Sequence, residues 1–219
     1  LLIDSCTCFN NSGSFAEIKG VYLDTVTIYN CNISNNHFYD KGVIYGDPLP
    51  QQLLFENSVF AGNDGTSCHA LTIPPGNIRY TSLTNCIFDS IGVTSKGPTV
   101  LIESFTEIVN SSFINHAGSA LSIQVSNAHV LIKSIIFHNN SCTDTLAGKD
   151  GFLCEGSNVS FVDADLTTSM IINSANAVSF ENSTISRYGL QVTASYVYIT
   201  STTIFSLSKK ENLILSASK

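Results

Sequence analysis

The sequence carries little charge and lacks tryptophan altogether. Only 12% of its 219 residues are charged, about half the usual share for a globular protein, and Ser, Thr and Asn take over the solvent-facing role of Lys and Glu. This composition is typical of β-rich extracellular proteins. The net charge of −7, with ten basic residues scattered singly, argues against a nucleic-acid partner.

Long apolar runs are also missing. No window reaches the roughly 18 apolar residues that a membrane-spanning helix needs. The first residues do not combine a basic segment with an apolar core, so no signal peptide is recognisable. Because LLIDSC (1–6) already lies inside a repeat, we expect one domain over residues 1–219 that is an excerpt of a longer chain.

What the sequence does contain is one short pattern that recurs along the chain. LLFENSVFAGN (53–63) and TEIVNSSFINH (106–116) align on a polar residue, here called the anchor. The anchors are spaced by 19–29 residues and are Ser5, Asn30, Asn57, Asn85, Asn110, Ser134, Asp163, Asn182 and Ser201. Three positions of each repeat are apolar: those four and two residues before the anchor and the one three residues after it. Of these 27 residues 25 are apolar, with Thr81 and Thr106 as the exceptions, whereas a 43% apolar composition predicts about 12.

The spacing within the repeat predicts a strand that ends in a bend. Apolar side chains at every second position share one face of an extended segment, and the anchor continues that series, so we expect anchors to point inward. The spacing of the apolar positions changes from even to odd after the anchor, so the strand must bend there. Asn tolerates the left-handed backbone that a bend requires. The next residue is uncharged and usually small, which also predicts an inward position. A second Asn series six residues after the anchor marks another bend.

A repeat with about three short strands and two bends predicts one coil of a parallel β-solenoid. Nine coils at about 4.8 Å each would form a rod about 43 Å long. A β-sandwich or propeller is the alternative, although Asp-Gly turns occur only at 64–65 and 150–151. Stacked coils would place Asn ladders at the first bend (Asn30, Asn57, Asn85, Asn110, Asn182) and at the second (Asn11, Asn36, Asn63, Asn140).

Two short motifs resemble a known repeat family. Phe-x-x-Asn at 60–63 and 137–140, with Gly-Ser-Ala-Leu at 118–121, resembles the repeats of polymorphic outer-membrane proteins. The whole chain resembles the right-handed parallel β-helices of the pectin-lyase-like superfamily. The resemblance implies an all-β fold, a single right-handed parallel β-helix, and a superfamily in which many members cleave acidic polysaccharides.

Such cleavage needs paired carboxylates, or a base beside a cation-bound uronate. The candidates are Asp163 and Asp165, with Asp144, Lys149 and Asp150 in the long segment one coil earlier. Asp163 also fits as a substitute for a ladder Asn, and Asp165 as a solvated residue. The Gly-His-Gly and Arg-Ile-Lys motifs of polygalacturonases and the Arg-x-Pro-x-x-Arg motif of pectate lyases are absent. Without Trp, sugar stacking would depend on Tyr22, Tyr80, Tyr196 or Tyr198.

The seven cysteines form an odd set and show no zinc-site spacing. Cys6, Cys31 and Cys86 each follow an anchor, where a small packed side chain is expected, and the pairing of these three and of Cys68 stays open. Cys142 and Cys154 flank TDTLAGKDGFL (143–153) within the longest repeat and are candidates for a disulfide that closes this loop.

Six Asn-x-Ser/Thr sites are candidates for N-glycosylation. Asn32, two residues after an anchor, is expected to face outward and to be the best acceptor, followed by Asn158; Asn10 and Asn139 are further candidates. Asn110 and Asn182 are anchors, so the inward orientation predicted for them argues against glycosylation.

These observations favour a non-catalytic structural or adhesive scaffold of a larger secreted or surface glycoprotein, without metal or cofactor. The alternatives are a carbohydrate-active enzyme, either a polysaccharide lyase or a glycoside hydrolase, and a non-catalytic glycan-binding rod. The expected partners are flanking coils of the same or a neighbouring chain, glycans or cell-surface proteins. The expected location is extracellular or at the cell surface.

Overall fold

The chain folds as a parallel β-solenoid. The computed structural model describes residues 1–12, 15–19, 23–38, 44–47, 50–65, 71–73, 80–89, 100–102, 104–115, 121–124, 129–138, 152–166, 170–187, 190–206 and 213–217. Within these ranges all regular structure is β-strand, and each strand pairs in parallel with the equivalent strand of a neighbouring coil. The all-β, parallel-solenoid fold predicted from the repeat is therefore confirmed.

Three rows of strands form the sides of the solenoid. Row 1 contains the strands that lead into the anchors: Leu2–Asp4, Thr25–Tyr29, Gln52–Glu56, Tyr80–Thr84, Phe105–Val109, His129–Lys133, the second halves of Phe152–Val162 and Met170–Glu181, and Tyr196–Thr200. Row 2 follows the anchors: Thr7–Phe9, Asn32–Ser34, Val59–Ala61, Ile87–Asp89, Ser112–Ile114, Ile136–His138, Asp165–Leu166, Thr184–Arg187 and Thr203–Ser206. Row 3 contains Ala16–Lys19, Ile44–Asp47, Leu71–Ile73, Val100–Ile102, Leu121–Gln124, the first halves of Phe152–Val162 and Met170–Glu181, Leu190–Ala194 and Leu213–Ala217. The short strands His37–Phe38 and Asp64–Gly65 pair after the second bend.

The register places equivalent repeat positions beside one another. Ile28 pairs with Phe55 and Phe55 with Leu83, all two residues before an anchor. Row 2 is a sheet of nine strands, whereas the described residues amount to about five turns of the solenoid rather than the nine predicted. One residue of slippage would turn the apolar positions outward, so the repeat pattern itself fixes this register.

The bends lie where the repeat predicts them. All nine anchors have positive φ, between 49° and 54°. Asn, Asp and Ser occupy these positions because short polar side chains reach the left-handed region at lower cost than β-branched or bulky ones. Eight of the nine bends are held to the next coil through the backbone N–H of the anchor: that of Asn57 donates to the carbonyl of Thr84 at 2.9 Å, and that of Asn110 to the carbonyl of Lys133 at 3.0 Å.

The core is a column of apolar side chains inside the coils. Phe60, Phe88, Phe113 and Phe137 stand three residues after successive anchors and stack with ring centroids 4.8, 4.8 and 5.0 Å apart and interplanar angles of 7–9°. All four rings are fully buried. The strand spacing sets this separation, so like residues stack on like along the solenoid axis.

The two Thr residues that interrupt the apolar positions of the repeat share one hydrogen-bonding partner. Thr81 and Thr106 are fully buried, and the hydroxyls of Thr81 and Ser104 lie 2.6 Å apart. The hydroxyl of Thr106 donates to the carbonyl of Ser104 at 2.7 Å. Ser104 therefore satisfies both hydroxyls, as buried polar groups require.

Candidate functional site

The anchor side chains face outward, and the prediction that they point inward is wrong. Eight of the nine anchors, including Asn110 and Asn182, are exposed, and Ser134 is half-buried. The alternation that put them on the inner face holds only while the backbone stays extended. A left-handed residue reverses the direction of the chain, so the anchor side chain turns to solvent and the residue after it turns inward.

The exposed anchors carry hydrogen bonds from coil to coil along this edge. The side-chain amide of Asn85 donates to Oδ1 of Asn57 at 2.9 Å, and that of Asn182 donates to Oδ1 of Asp163 at 2.7 Å. These bonds lie on the surface of the solenoid rather than in its interior. Asn30 and Asn110 occupy equivalent exposed bends of the same row.

A second, buried row of polar atoms lies directly after the anchors. Ser58, Ser111 and Ser183 are almost fully buried here, as are Cys31 and Cys86. The backbone N–H of Cys31 donates to Oγ of Ser58 at 3.1 Å, and that of Cys86 to Oγ of Ser111 at 3.1 Å. The hydroxyls of Ser58 and Ser111 donate in turn to carbonyls two residues earlier. The sequence predicts small inward residues at this position but not this coil-to-coil hydrogen bonding.

The second bend lies one residue earlier than the second Asn series. The left-handed residues there are Asn10, Asn35, Gly62 and Asn115, five positions after their anchors.

In two of these coils the next residue turns inward, as at the first bend, whereas Asn11 is exposed. Asn36 and Asn63 are buried, and Oδ1 of Asn63 accepts from both the backbone and side-chain N–H groups of Asn36, at 3.0 and 3.1 Å. Oδ1 of Asn36 accepts from the backbone of Asn11 at 3.0 Å. Asn140 lies outside the described residues.

The candidate carboxylates stand apart from the solenoid interior. Asp163 is an exposed anchor whose carboxylate accepts from Asn182, and Asp165 is exposed on the following row-2 strand. This arrangement gives Asp163 the contacts of a ladder residue. Asp144, Lys149 and Asp150 lie outside the described residues, so their position relative to this pair stays a prediction.

The cysteines with described side chains are free thiols, and two of them are buried. Cys6, Cys8, Cys31 and Cys86 form no disulfide with one another. Burial raises the pKa of the Cys86 thiol to about 11 and also raises that of Cys31, which keeps both thiols neutral near pH 7. Cys142 and Cys68 lie outside the described residues, so a bond between Cys142 and Cys154 stays a prediction.

The glycosylation candidates occupy different environments. Asn32 is exposed on row 2, and Asn10 is exposed at the second bend. Asn158 is half-buried, and its Oδ1 accepts from the side chain of Asn176 at 2.9 Å. Asn139 lies outside the described residues.

Among the four tyrosines named above, the structure brings two together on the outer face of row 1. Tyr196 and Tyr198 are 41% and 56% exposed, with ring centroids 6.4 Å apart and planes within 16° of parallel. Tyr80 is different, because its hydroxyl donates to Oε2 of Glu107 at 2.6 Å and its ring packs on Phe105. Burial and this carboxylate raise the pKa of Tyr80. Tyr22 lies outside the described residues.

Small side chains lie beside the exposed tyrosine pair on the neighbouring strand. Ala177 and Ser179 lie beside Tyr196 and Tyr198 on the neighbouring strand of row 1. The hydroxyl of Ser179 donates to that of Ser160 at 3.0 Å one coil further along. The exposed Glu181 follows on the same outward face and pairs with Thr200. We call Tyr196 and Tyr198 the tyrosine platform.

Within the described ranges, no group of three or more His, Cys, Asp or Glu side chains could hold a metal ion. A search of the same residues finds no helix long and apolar enough to cross a membrane. In comparisons with known proteins, no family model, curated protein or solved structure matches this chain.

Proposed function

We propose that this chain is part of an extracellular β-helical scaffold, a non-catalytic rod that presents binding surfaces within a larger secreted or surface protein. The observation that carries the proposal is the uniform coil: all nine anchors bend with the same backbone geometry. Uniform coils stack into straight ladders and leave the outward positions free to vary. Among known solenoids, the right-handed β-helices of the pectin-lyase-like type are the class to which we assign it.

The hydrogen-bonding of the coils supports a scaffold role. Buried hydroxyls and amides, such as those of Ser111 and Asn63, join neighbouring coils at both bends. Opening a coil would expose or orphan these groups, which costs about 1–3 kcal/mol for each one left buried without a partner. A rod held in this way resists local unfolding and hence proteolysis.

The surface chemistry supports an extracellular setting. The outward positions of the bends are Asn, Ser and Asp, and charged residues are only 12% of the sequence. Exposed apolar side chains, such as Ile87 and Ile136 on row 2, interrupt this neutral surface. An adhesive protein needs such apolar contact area on a stable framework.

A glycan-binding rod is the second candidate, and the tyrosine platform favours it. Two nearly parallel, exposed rings offer apolar surface to the C–H groups of sugar rings, and the hydroxyls of Tyr and Ser can hydrogen-bond to sugar hydroxyls. The exposed Glu181 on the same face of the neighbouring strand is negatively charged and would repel a uronic acid, so a neutral glycan fits better.

Turnover separates the scaffold from an enzyme. The chain would be incubated with acidic and neutral polysaccharides while new reducing ends and unsaturated products are measured. We expect no turnover by protein shown to be folded. Activity that is lost in Asp163→Asn or Asp165→Asn would overturn the scaffold proposal and place a catalytic site beside the 139–151 segment.

Glycan binding has its own test on an array of neutral and acidic oligosaccharides. Binding to neutral glycans that is lost in the Tyr196→Ala/Tyr198→Ala variant would support the glycan-binding rod. Phe205→Ala is the matched control, because Phe205 is an exposed aromatic residue on row 2, away from the platform. Equal loss in the control would argue against the platform.

A further inference from the structure

Asn110 occupies an exposed bend in the middle of the solenoid. Its φ is 50° and its side chain is exposed. Its backbone N–H donates to Lys133 at 3.0 Å, so the backbone is held by the next coil while the side chain projects into solvent. The bend therefore fixes the direction in which the amide points.

The side-chain amide of Asn110 is not used by the fold. Among the described residues it forms no hydrogen bond, whereas the equivalent amides of Asn85 and Asn182 donate to the neighbouring anchor. The anchors on either side of it are Asn85 and Ser134, both short side chains. A large group on Nδ2 of Asn110 would therefore displace no hydrogen bond within the part of the chain that the structure describes.

The same residue begins the sequence Asn110-Ser111-Ser112, an acceptor for N-linked oligosaccharide. Ser111 points inward and is buried, and Ser112 lies on the first position of a row-2 strand. The motif alone is weak, since such triplets arise by chance in a chain rich in Asn and Ser. Its coincidence with an outward bend and an unused amide is the additional observation.

We infer that Asn110 carries an N-linked glycan, a site that the expected inward orientation of the anchors had excluded. Nδ2 forms a bond to the anomeric carbon of an oligosaccharide carried on a polyprenyl diphosphate. The bond from that carbon to the diphosphate oxygen breaks, and the lipid diphosphate leaves. Nδ2 releases one proton and keeps the other. The inference rests on the proposed extracellular role, because this transfer occurs on secreted chains.

The position of the glycan has a consequence for the surfaces of the rod. The bend of Asn110 is the edge between rows 1 and 2, four coils from the strand that bears the tyrosine platform. At the strand spacing this is about 19 Å along the axis. The glycan would cover the central edge and leave the platform open.

The test secretes the 219-residue chain from animal cells behind a cleavable signal peptide. Peptide N-glycosidase in heavy-oxygen water converts each glycan-bearing Asn into labelled Asp, which peptide mass spectrometry locates. We expect label at Asn110. The variant Ser112→Ala should lose one glycan by gel migration, whereas Ser112→Thr, which keeps the acceptor triplet, should retain it.

The outcomes separate this inference from the proposed function. Unlabelled Asn110 in secreted protein that is labelled at Asn32 or Asn10 would overturn the inference and leave the extracellular proposal in place. Secreted protein with no label at any site would overturn the inference and also the glycoprotein part of the proposed function. If the Ser112→Ala variant is not secreted, the presence or absence of label at Asn110 in the unmodified sequence tests the inference by itself.

Discussion

Removal of one ring from the buried phenylalanine column should weaken two coil junctions at once. Phe88 is fully buried and stacks on Phe60 and Phe113 at 4.8 Å on each side. Phe→Ala in a core costs about 3–5 kcal/mol, and each aromatic pair adds about 0.5–1.5 kcal/mol beyond area burial. We therefore expect Phe88→Ala to lower the free energy of unfolding by about 5 kcal/mol.

Thermal unfolding followed by far-ultraviolet circular dichroism measures this loss. For a chain of this size each kcal/mol shifts Tm by about 2–4 °C, so the expected drop is about 10–20 °C. Phe88→Leu separates the two contributions, because Leu166 already occupies the equivalent position in another coil. It should keep most of the burial, lose the ring contacts and cost about 1–2 kcal/mol.

The matched control is Phe9→Ala, since Phe9 lies on row 2 but faces outward and is 58% exposed. Its effect should stay within about 0.5 kcal/mol. If Phe88→Ala and Phe9→Ala lower Tm equally, the stacked column does not stabilise the coils and the reasoning fails.

Three further substitutions test the bends and the buried rows, with stability measured on unglycosylated protein by urea unfolding. Gly62→Ala should lower the free energy of unfolding by about 1–3 kcal/mol, because φ at this bend is 59° and an added Cβ would collide with Oδ1 of Asn35. An unchanged urea midpoint would contradict this expectation. Ser111→Ala should lower the free energy of unfolding by about 1–3 kcal/mol, because it leaves the buried backbone N–H of Cys86 without its acceptor. Ser112→Ala, at the neighbouring outward position, should be nearly neutral, and equal effects of the two variants would argue against the buried hydroxyl row. The pKa of the Cys86 thiol is about 11 in the folded state against an ordinary 9.0, so the folded state holds this proton more tightly than the unfolded state. This contribution to the free energy of unfolding is complete below pH 9, and about 3 kcal/mol is lost as the pH rises through 11. Cys86→Ser should remove this part of the pH dependence of stability, and an unchanged dependence would refute the reasoning.

The repeat predicts the solenoid because its period and its apolar spacing arise from the same geometry. Parallel strands in register place equivalent residues in one column, so a pattern that recurs every coil becomes a column of Phe60, Phe88 and Phe113. The left-handed bends were predictable as well, since Asn recurs where the strand parity changes. Both inferences depend only on local geometry.

The direction of the anchor side chains could not be obtained by counting alternate positions. Counting assumes an extended backbone, and Asn110 lies where that assumption fails, with φ at 50°. The second bend is predicted one residue too late for a related reason: the Asn pair 35–36 contains both the bend at Asn35 and the inward amide of Asn36, and the repeat alignment marks only the second of them. The Asn-Asn doublet is therefore the sequence feature that marks the position of the second bend.

Function is harder to infer because the solenoid constrains its inside and leaves its outside free. In three neighbouring coils, the outward position at the start of row 1 is Asn158, Ala177 and Tyr196, while the inward residue that follows is Val159, Val178 and Val197. The inward column must keep its volume to fill the coil, so it repeats. The outward column meets only solvent or a partner, so any residue there is compatible with the fold. The tyrosine platform occupies outward positions of this kind on the single strand Tyr196–Thr200, so the informative residues for function are those that break the repeat.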